Sequence, residues 1–171
     1  VEAFRRYLSG AGGEYNTDAH VFLAWSLENL GDAESALTEL DTLAKRDPAR
    51  ALFERAGILH RAGRQDEALA AYDEFLERHG DTEGAAGVAW SAAALADEMT
   101  RDDTSARYLF LADTFPFDEN APLALFRAAD LLQAGGDDAE ATALRLRLVE
   151  QYPANIFGAE ALFRLLQAAE S

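Results

Sequence analysis

Apolar residues recur at three- and four-residue intervals along nearly the whole chain, in segments set apart by Gly, Pro or Asp. That period places them on one face of a helix. An opening segment (Ala3, Phe4, Tyr7, Leu8) is expected to be the second helix of a hairpin whose first helix lies upstream, so the chain reads as a piece of something longer. A loop from Ser9 to Asn16, with Gly10, Gly12 and Gly13, should end it. Thr17 or Asp18 is then expected to cap a helix to about Leu30, with Leu23, Ala24, Leu27 and Leu30 as its apolar stripe. Further helices are predicted over 33–46, stopped by Asp47 and Pro48, and over 49–62, 65–79, 83–99, 120–134, 138–152 and 156–169. Between Thr104 and Phe115 the pattern gives one more helix, entered by a turn from Thr100 that has three candidate caps. The helix over 83–99 carries a run of small residues suited to close helix contact.

The segments are self-similar. A small residue, an Ala five positions on and a Pro or Gly twelve further recur as Gly31, Ala36, Pro48, then Gly63, Ala68, Gly80, then Gly136, Ala141, Pro153. A fourth copy keeps its final proline, Pro116. Ala51-Leu52-Phe53, Ala124-Leu125-Phe126-Arg127 and Ala161-Leu162-Phe163-Arg164 occupy the same place in the first helices of their hairpins. A period in the thirties marks an array of helical hairpins, each packing on its neighbours. The expected divisions are 1–16 as the end of a preceding hairpin, then 17–48, 49–82, 83–118 and 119–155, with 156–171 as a closing helix.

Composition supports an all-α chain. About a fifth of the residues are Ala, with abundant Leu, Glu and Arg, while β-branched residues are few. The net charge of −16 argues against nucleic acid and against an anionic membrane surface. Without Cys there is neither a disulfide nor a thiolate metal site. No apolar run approaches a membrane span. Lys45 is the one lysine among 15 basic residues, a bias that a GC-rich genome explains.

The spacing resembles the tetratricopeptide repeat, a degenerate motif of about 34 residues. Counted from Thr17 the match runs through Ala24, Leu27, Gly31, Ala36, Leu40 and Pro48; from Ala49, through Ala56, Leu59, Gly63, Ala68 and Tyr72; from Pro122, through Ala129, Leu132, Gly136, Ala141 and Pro153. The third copy departs, with Thr104 where Ala belongs and no Gly in its turn. The resemblance implies a right-handed superhelical solenoid of antiparallel helical hairpins. Phe115-Pro116 and Tyr152-Pro153 resemble repeats of bacterial cell-envelope members: the Tol-Pal-associated periplasmic protein, the barrel-assembly lipoprotein and the superhelix of lytic transglycosylases. On that resemblance a periplasmic or cell-envelope location is favoured over a cytoplasmic one.

Catalytic chemistry is hard to place on this chain. His20, His60 and His79 lack the i, i+4 pairing of a helical metal site and read as helix-surface residues. Asp102-Asp103 and Asp137-Asp138 sit in turns, where Asp caps helices. Gly135-Gly136 lacks the Lys-Ser/Thr of a phosphate loop, and no nucleophile elbow occurs. The expectation is a non-enzyme without cofactor or metal.

The resemblance implies a concave groove lined by the first helices. Its residues here would be Val21, Trp25, Phe53, His60, Arg61, Ala89, Ala93, Phe126 and Asp130, with Trp90 and Arg127 at the margin and Phe163 and Arg164 from the closing helix. Phe53, Phe126 and Phe163 either face this groove or pack between hairpins. The two-carboxylate clamp of chaperone-binding members is not matched, since its places hold Val21, Trp25, Phe53 and Gly57. The expected function is a scaffold binding a peptide or partner helix through aromatic and Arg anchors. Alternatives are the helical accessory region of a lytic transglycosylase or another cell-envelope assembly protein, and a self-assembling scaffold through the solenoid ends.

Overall fold

In a computed structural model that describes residues 1–10 and 15–170, the chain is helical and, among those residues, without strands. The helices are α1 (Glu2–Ser9), α2 (Asn16–Asn29), α3 (Ala33–Leu43), α4 (Pro48–Arg61), α5 (Gln65–His79), α6 (Ala85–Glu98), α7 (Thr104–Thr114), α8 (Ala121–Ala134), α9 (Asp138–Gln151) and α10 (Ile156–Glu170). They fall into two compact units, Val1–Val88 and from Ala89 onward, with the division inside α6. In the first unit α2 pairs with α3 and α4 with α5, and α3 packs on α4. In the second, α8 lies between α7 and α9, and α10 covers α9 and touches α8. Gly12 and Gly13 of the expected loop lie outside the described residues.

One backbone device closes the hairpins. Gly31, Gly63 and Gly136 have φ of 82°, 76° and 88°. The residue after each returns its N–H to a carbonyl five positions back: Asp32 to Leu27 at 3.0 Å, Arg64 to Leu59 at 2.9 Å, Asp137 to Leu132 at 2.9 Å. This is the Schellman ending, which needs a left-handed residue and is cheapest with glycine. The aberrant third turn does the same without glycine. Thr100 stands at φ 52°, and Arg101 N–H reaches the Ala96 carbonyl at 3.0 Å.

The second helices then share one buried ladder. Ala36, Ala68 and Ala141 are sealed, and Thr104 takes the same place at 2 % exposure, its hydroxyl donating to the Arg101 carbonyl at 2.7 Å. Four residues on come Leu40, Tyr72, Tyr108 and Arg145; seven on come Leu43, Phe75, Leu111 and Leu148, and all of these are buried. The third repeat is thus in register from Thr104 through Pro116. Its departure is one residue fewer between the positive-φ residue and the sealed one, and α7 begins only at Thr104, without helix over 101–103.

Several expectations about termini are corrected. Helix α2 begins at Asn16 behind Tyr15, so neither Thr17 nor Asp18 is its cap. Leu30 is 74 % exposed, because it follows the last turn of α2 and points away from the α3 seam. Helix α3 stops at Leu43, three residues early. Pro48 does not stop α3; it opens α4 behind Asp47, whose carboxylate caps Arg50 N–H at 3.0 Å. Lacking an N–H, proline fits the first helical turn, where no partner exists. Asp32 and Asp137 cap α3 and α9 in the same way, and hydrogen bonds from Ser35 hold the Asp32 carboxyl below its usual range.

A β-branched residue at positive φ is strained by about 1–3 kcal/mol. Thr100→Gly should therefore stabilise the second unit by about 1 kcal/mol after the entropy of the freer unfolded chain is subtracted. Urea denaturation followed by circular dichroism measures it; unchanged or lower stability would show that the Thr100 hydroxyl, bonded to the Met99 carbonyl at 2.7 Å, compensates fully.

Candidate functional site

In the first unit the candidate surface is built on α2 and α4, which touch each other directly. Glu54 of α4 is 96 % buried, 4 % exposed, and a buried carboxylate needs donors. The Trp25 indole N–H donates to Glu54 Oε2 at 2.7 Å, and Arg50 Nε lies 2.9 Å from Oε1. About one turn further along α2 and two along α4, Arg61 forks onto Glu28 at 2.6 and 2.9 Å. That contact raises the Arg61 pKa above its usual value. Arg61 lies back over Gly57, where a Cβ would stand 3.2 Å from the guanidinium. Phe53 projects outward at 39 % exposure, and His60 is half-buried.

Two expectations fail here. Val21 is 1 % exposed and belongs to the core of α2, not to a surface. The reason is the breadth of the buried face: His20, Val21, Leu23, Ala24 and Leu27 are all covered, far more than a narrow stripe. His20 likewise is not on the surface. It is 8 % exposed, with Nδ1 against the Glu39 carboxylate of α3. A residue not anticipated is Phe22, 45 % exposed, its ring 5.6 Å from Trp25 and 6.0 Å from Phe4. With Tyr7 and Tyr15 it lines an apolar pocket of about 390 Å³ between α1 and α2. Phe22 falls outside the apolar stripe of Leu23, Ala24, Leu27 and Leu30, and one aromatic off a stripe carries no signal by itself.

In the second unit, side chains from three helices meet at two places. Arg145 of α9 is 5 % exposed and bonds Asp130 at 3.2 Å and Gln133 at 2.7 Å, both on α8. Arg164 of α10 also binds Asp130, and its guanidinium lies 4.6 Å over the Phe126 ring. Phe126 packs against Phe157 of α10 at 5.3 Å. Of the expected groove residues, Phe126 and Asp130 are therefore engaged in joining α8 to α10. Phe163 is free of that joint at 55 % exposure. The second place is a cleft of about 410 Å³ whose lining includes Trp90, Asp97, Tyr108 and Arg127. Ala89 and Ala93, expected in the groove lining, lie instead in the core at 2 % and 0 % exposure.

Among the described residues no group of three His, Cys, Asp or Glu is placed to hold a metal. No helix among them is long and apolar enough to cross a membrane. Two tetratricopeptide-repeat family models match the chain, over residues 23–83 and 123–155, together more than half of it. The chain is built of tetratricopeptide repeats.

Solved structures agree with that fold. MamA superimposes with a TM-score of 0.64 at 15 % identity, over 90 % of this chain and 86 % of its own. YrrB, described as a TPR protein with an unusual peptide-binding site, gives 0.59 at 17 % identity, over 95 % and 80 %. A tetratricopeptide repeat protein from Parabacteroides merdae gives 0.62 at 18 % identity, over 85 % of this chain and 57 % of that one. No curated protein matches the sequence. In the repeat register, Ala51, Ala124 and Ala161 are buried at 2 %, 0 % and 0 %, while the Phe two positions later is directed away from that seam in each case.

Trp25→Phe keeps the ring but removes the donor to Glu54, and a buried acceptor so orphaned costs about 1–3 kcal/mol. The unfolding midpoint in urea should fall accordingly, whereas an unchanged midpoint would show that Arg50 alone satisfies Glu54. Burial, followed by the Asp97 carboxylate, pushes the Tyr108 phenol from 10.0 up to about 12. The unfolded chain therefore gives up this proton first. The stabilising contribution is complete below pH 10 and is lost as pH rises from 10 to about 12. Chemical denaturation at pH 9 and pH 11 should show a smaller alkaline loss for Tyr108→Phe than for the native chain.

Proposed function

We propose that this chain is a non-catalytic scaffold that holds an extended peptide or a partner helix against the exposed faces of its first helices. One observation carries the reading. The repeated Ala-Leu-Phe string buries its Ala in every copy, yet Phe53 and Phe163 stay 39 % and 55 % exposed at the same register position. Large aromatics left outside a packed seam are the anchors on which protein interfaces depend. Phe126 shows how such a ring is covered: an aromatic and a guanidinium from a neighbouring helix close over it. A bound helix or peptide would supply the same kind of cover to Phe53 and Phe163. The peptide-binding site ascribed to YrrB supports the same use of the fold.

The candidate anchors are Phe53, His60 and Arg61 in the first unit, and Trp90, Arg127 and Phe163 in the second, while Trp25, Phe126 and Asp130 are committed to joints within the fold. The cell-envelope reading, including an accessory role beside a lytic enzyme, rests on the Phe115-Pro116 and Tyr152-Pro153 junctions. These junctions are tied together: the Tyr152 hydroxyl donates to the Pro116 carbonyl at 2.7 Å.

Partner capture from the source organism tests the scaffold. Phe53→Ala and Phe163→Ala should each weaken the captured complex about tenfold, that is by about 1.4 kcal/mol, with helicity by circular dichroism unchanged. Undiminished capture by the double variant would overturn the reading.

A further inference from the structure

Two helices carry seams that the other repeats close. Among the described residues α10 is a first helix followed by no second, while α1 packs on α2 as the second helix α3 packs on α4. On α10, Leu162 and Leu166 are 46 % and 58 % exposed, where the matching Leu125 and Ala129 of α8 are sealed. On α1, Ala3 and Tyr7 are exposed, where Ala68 and Tyr72 of α5 are buried. The terminal repeats of a solenoid ordinarily present a polar outer face. Here both faces are apolar, and the one on α1 and α2 is the pocket of about 390 Å³ lined by Tyr7, Tyr15 and Phe22.

The repeat register says what fits that pocket. Helix α8 rests on its own second helix, α9, and on the next first helix, α10. There α10 covers Phe126 with Phe157 and Arg164. Leu166 of α10 holds the repeat place of Ala24 in α2, and Phe157 and Arg164 precede it by nine and two residues. The same places before Ala24 are Tyr15 and Phe22. Helix α2 therefore carries two exposed aromatics where α10 carries the cover for a phenylalanine. Phe163 of α10 is the repeat equivalent of Phe126, and it stands exposed. Charge agrees with the match: α1 sets Arg5 and Arg6 against Glu2, and α10 sets Glu160 and Glu170 against Arg164, so the two helices have opposite net charge.

We infer that α10 of one copy of this chain docks into the α1–α2 groove of a second copy, acting as the first helix paired with α1. Phe163 then meets Tyr15 and Phe22, while Leu162 lies over Tyr7 and Leu166 over Ala3. For Phe163 this rests on the scaffold reading above and names the occupant; Phe53 is left to other partners. The exposed parts of Tyr7, Tyr15 and Phe22, and those of Leu162, Phe163 and Leu166, come to roughly 300 Å² on each side. A stable pair buries about 800 Å² per partner, so these anchors supply over a third of it and the joint is weak and concentration-dependent. The two faces differ, so every joined copy keeps one of each free and copies add head to tail.

Sedimentation velocity of the full chain should show the average mass rising with concentration between about 1 μM and about 1 mM. Leu166→Arg blocks one face and Tyr7→Glu the other, so each variant alone should stay a single copy. Mixed, they retain one intact face of each kind and should form a one-to-one pair. The chain has no Cys, so Leu166→Cys mixed with Ala3→Cys should cross-link on oxidation, which requires the two backbones to lie within about 7 Å. Circular dichroism verifies that each variant is folded. A single-copy mass at every concentration, self-association that Leu166→Arg leaves intact, or a mixture that stays unpaired would each overturn the inference. If the chain stays single while Phe163→Ala still weakens partner capture, another polypeptide holds Phe163 and the self-docking falls alone. If capture is undiminished in the Phe53 and Phe163 double variant as well, the scaffold reading falls with it.

Discussion

Each hairpin depends on a single constraint: a helix must stop, reverse and return close enough to seal a small side chain against its predecessor. The stop is a residue with positive φ, and the seal is Ala36, Ala68, Ala141 or Thr104. With a larger side chain at the seal, the larger residues four and seven positions later could not reach the same seam. Leu40 and Leu43, or Tyr72 and Phe75, are buried because the small residue lets the helices approach. The third repeat shows how strict this is. It tolerates loss of the glycine and of one turn residue, and it keeps the buried ladder intact.

Polar groups inside the seams lock particular pairs of helices together. Glu54 joins α4 to Trp25 of α2, His20 joins α2 to Glu39 of α3, and Arg145 joins α9 to Asp130 and Gln133 of α8. An apolar seam alone permits small slips; a buried polar group with fixed partners across the seam does not. Arg145 occupies the place that Leu40 and Tyr108 hold in other repeats, so there the ladder gives up an apolar contact for a fixed register. These joints use up Trp25, Phe126 and Asp130, which leaves Phe53, Phe163 and the Trp90 cleft as the more accessible surfaces.

Much of this was legible in the residues themselves. The αL glycines and the alanine twelve positions before each Pro or Gly have local physical causes, so their spacing specified helix, turn and repeat. Helix α5 was readable to the residue from Gln65 to His79, because Gly63 and Gly80 bracket it. The surface was much less readable. Helical periodicity tells which residues share a face, but not how wide a face the neighbours cover. Val21 and His20, expected on the outside, are therefore buried, His20 against Glu39 of α3. Nor does spacing reveal whether an aromatic is already covered: Phe53, Phe126 and Phe163 are identical in the repeat, and only the presence of Phe157 and Arg164 above Phe126 separates them. The sequence by itself determined the helices, their turns and the repeat, since those are set within a few residues of each other. Only the tertiary structure decided which side chains remain available, because that depends on atoms dozens of positions away along the chain.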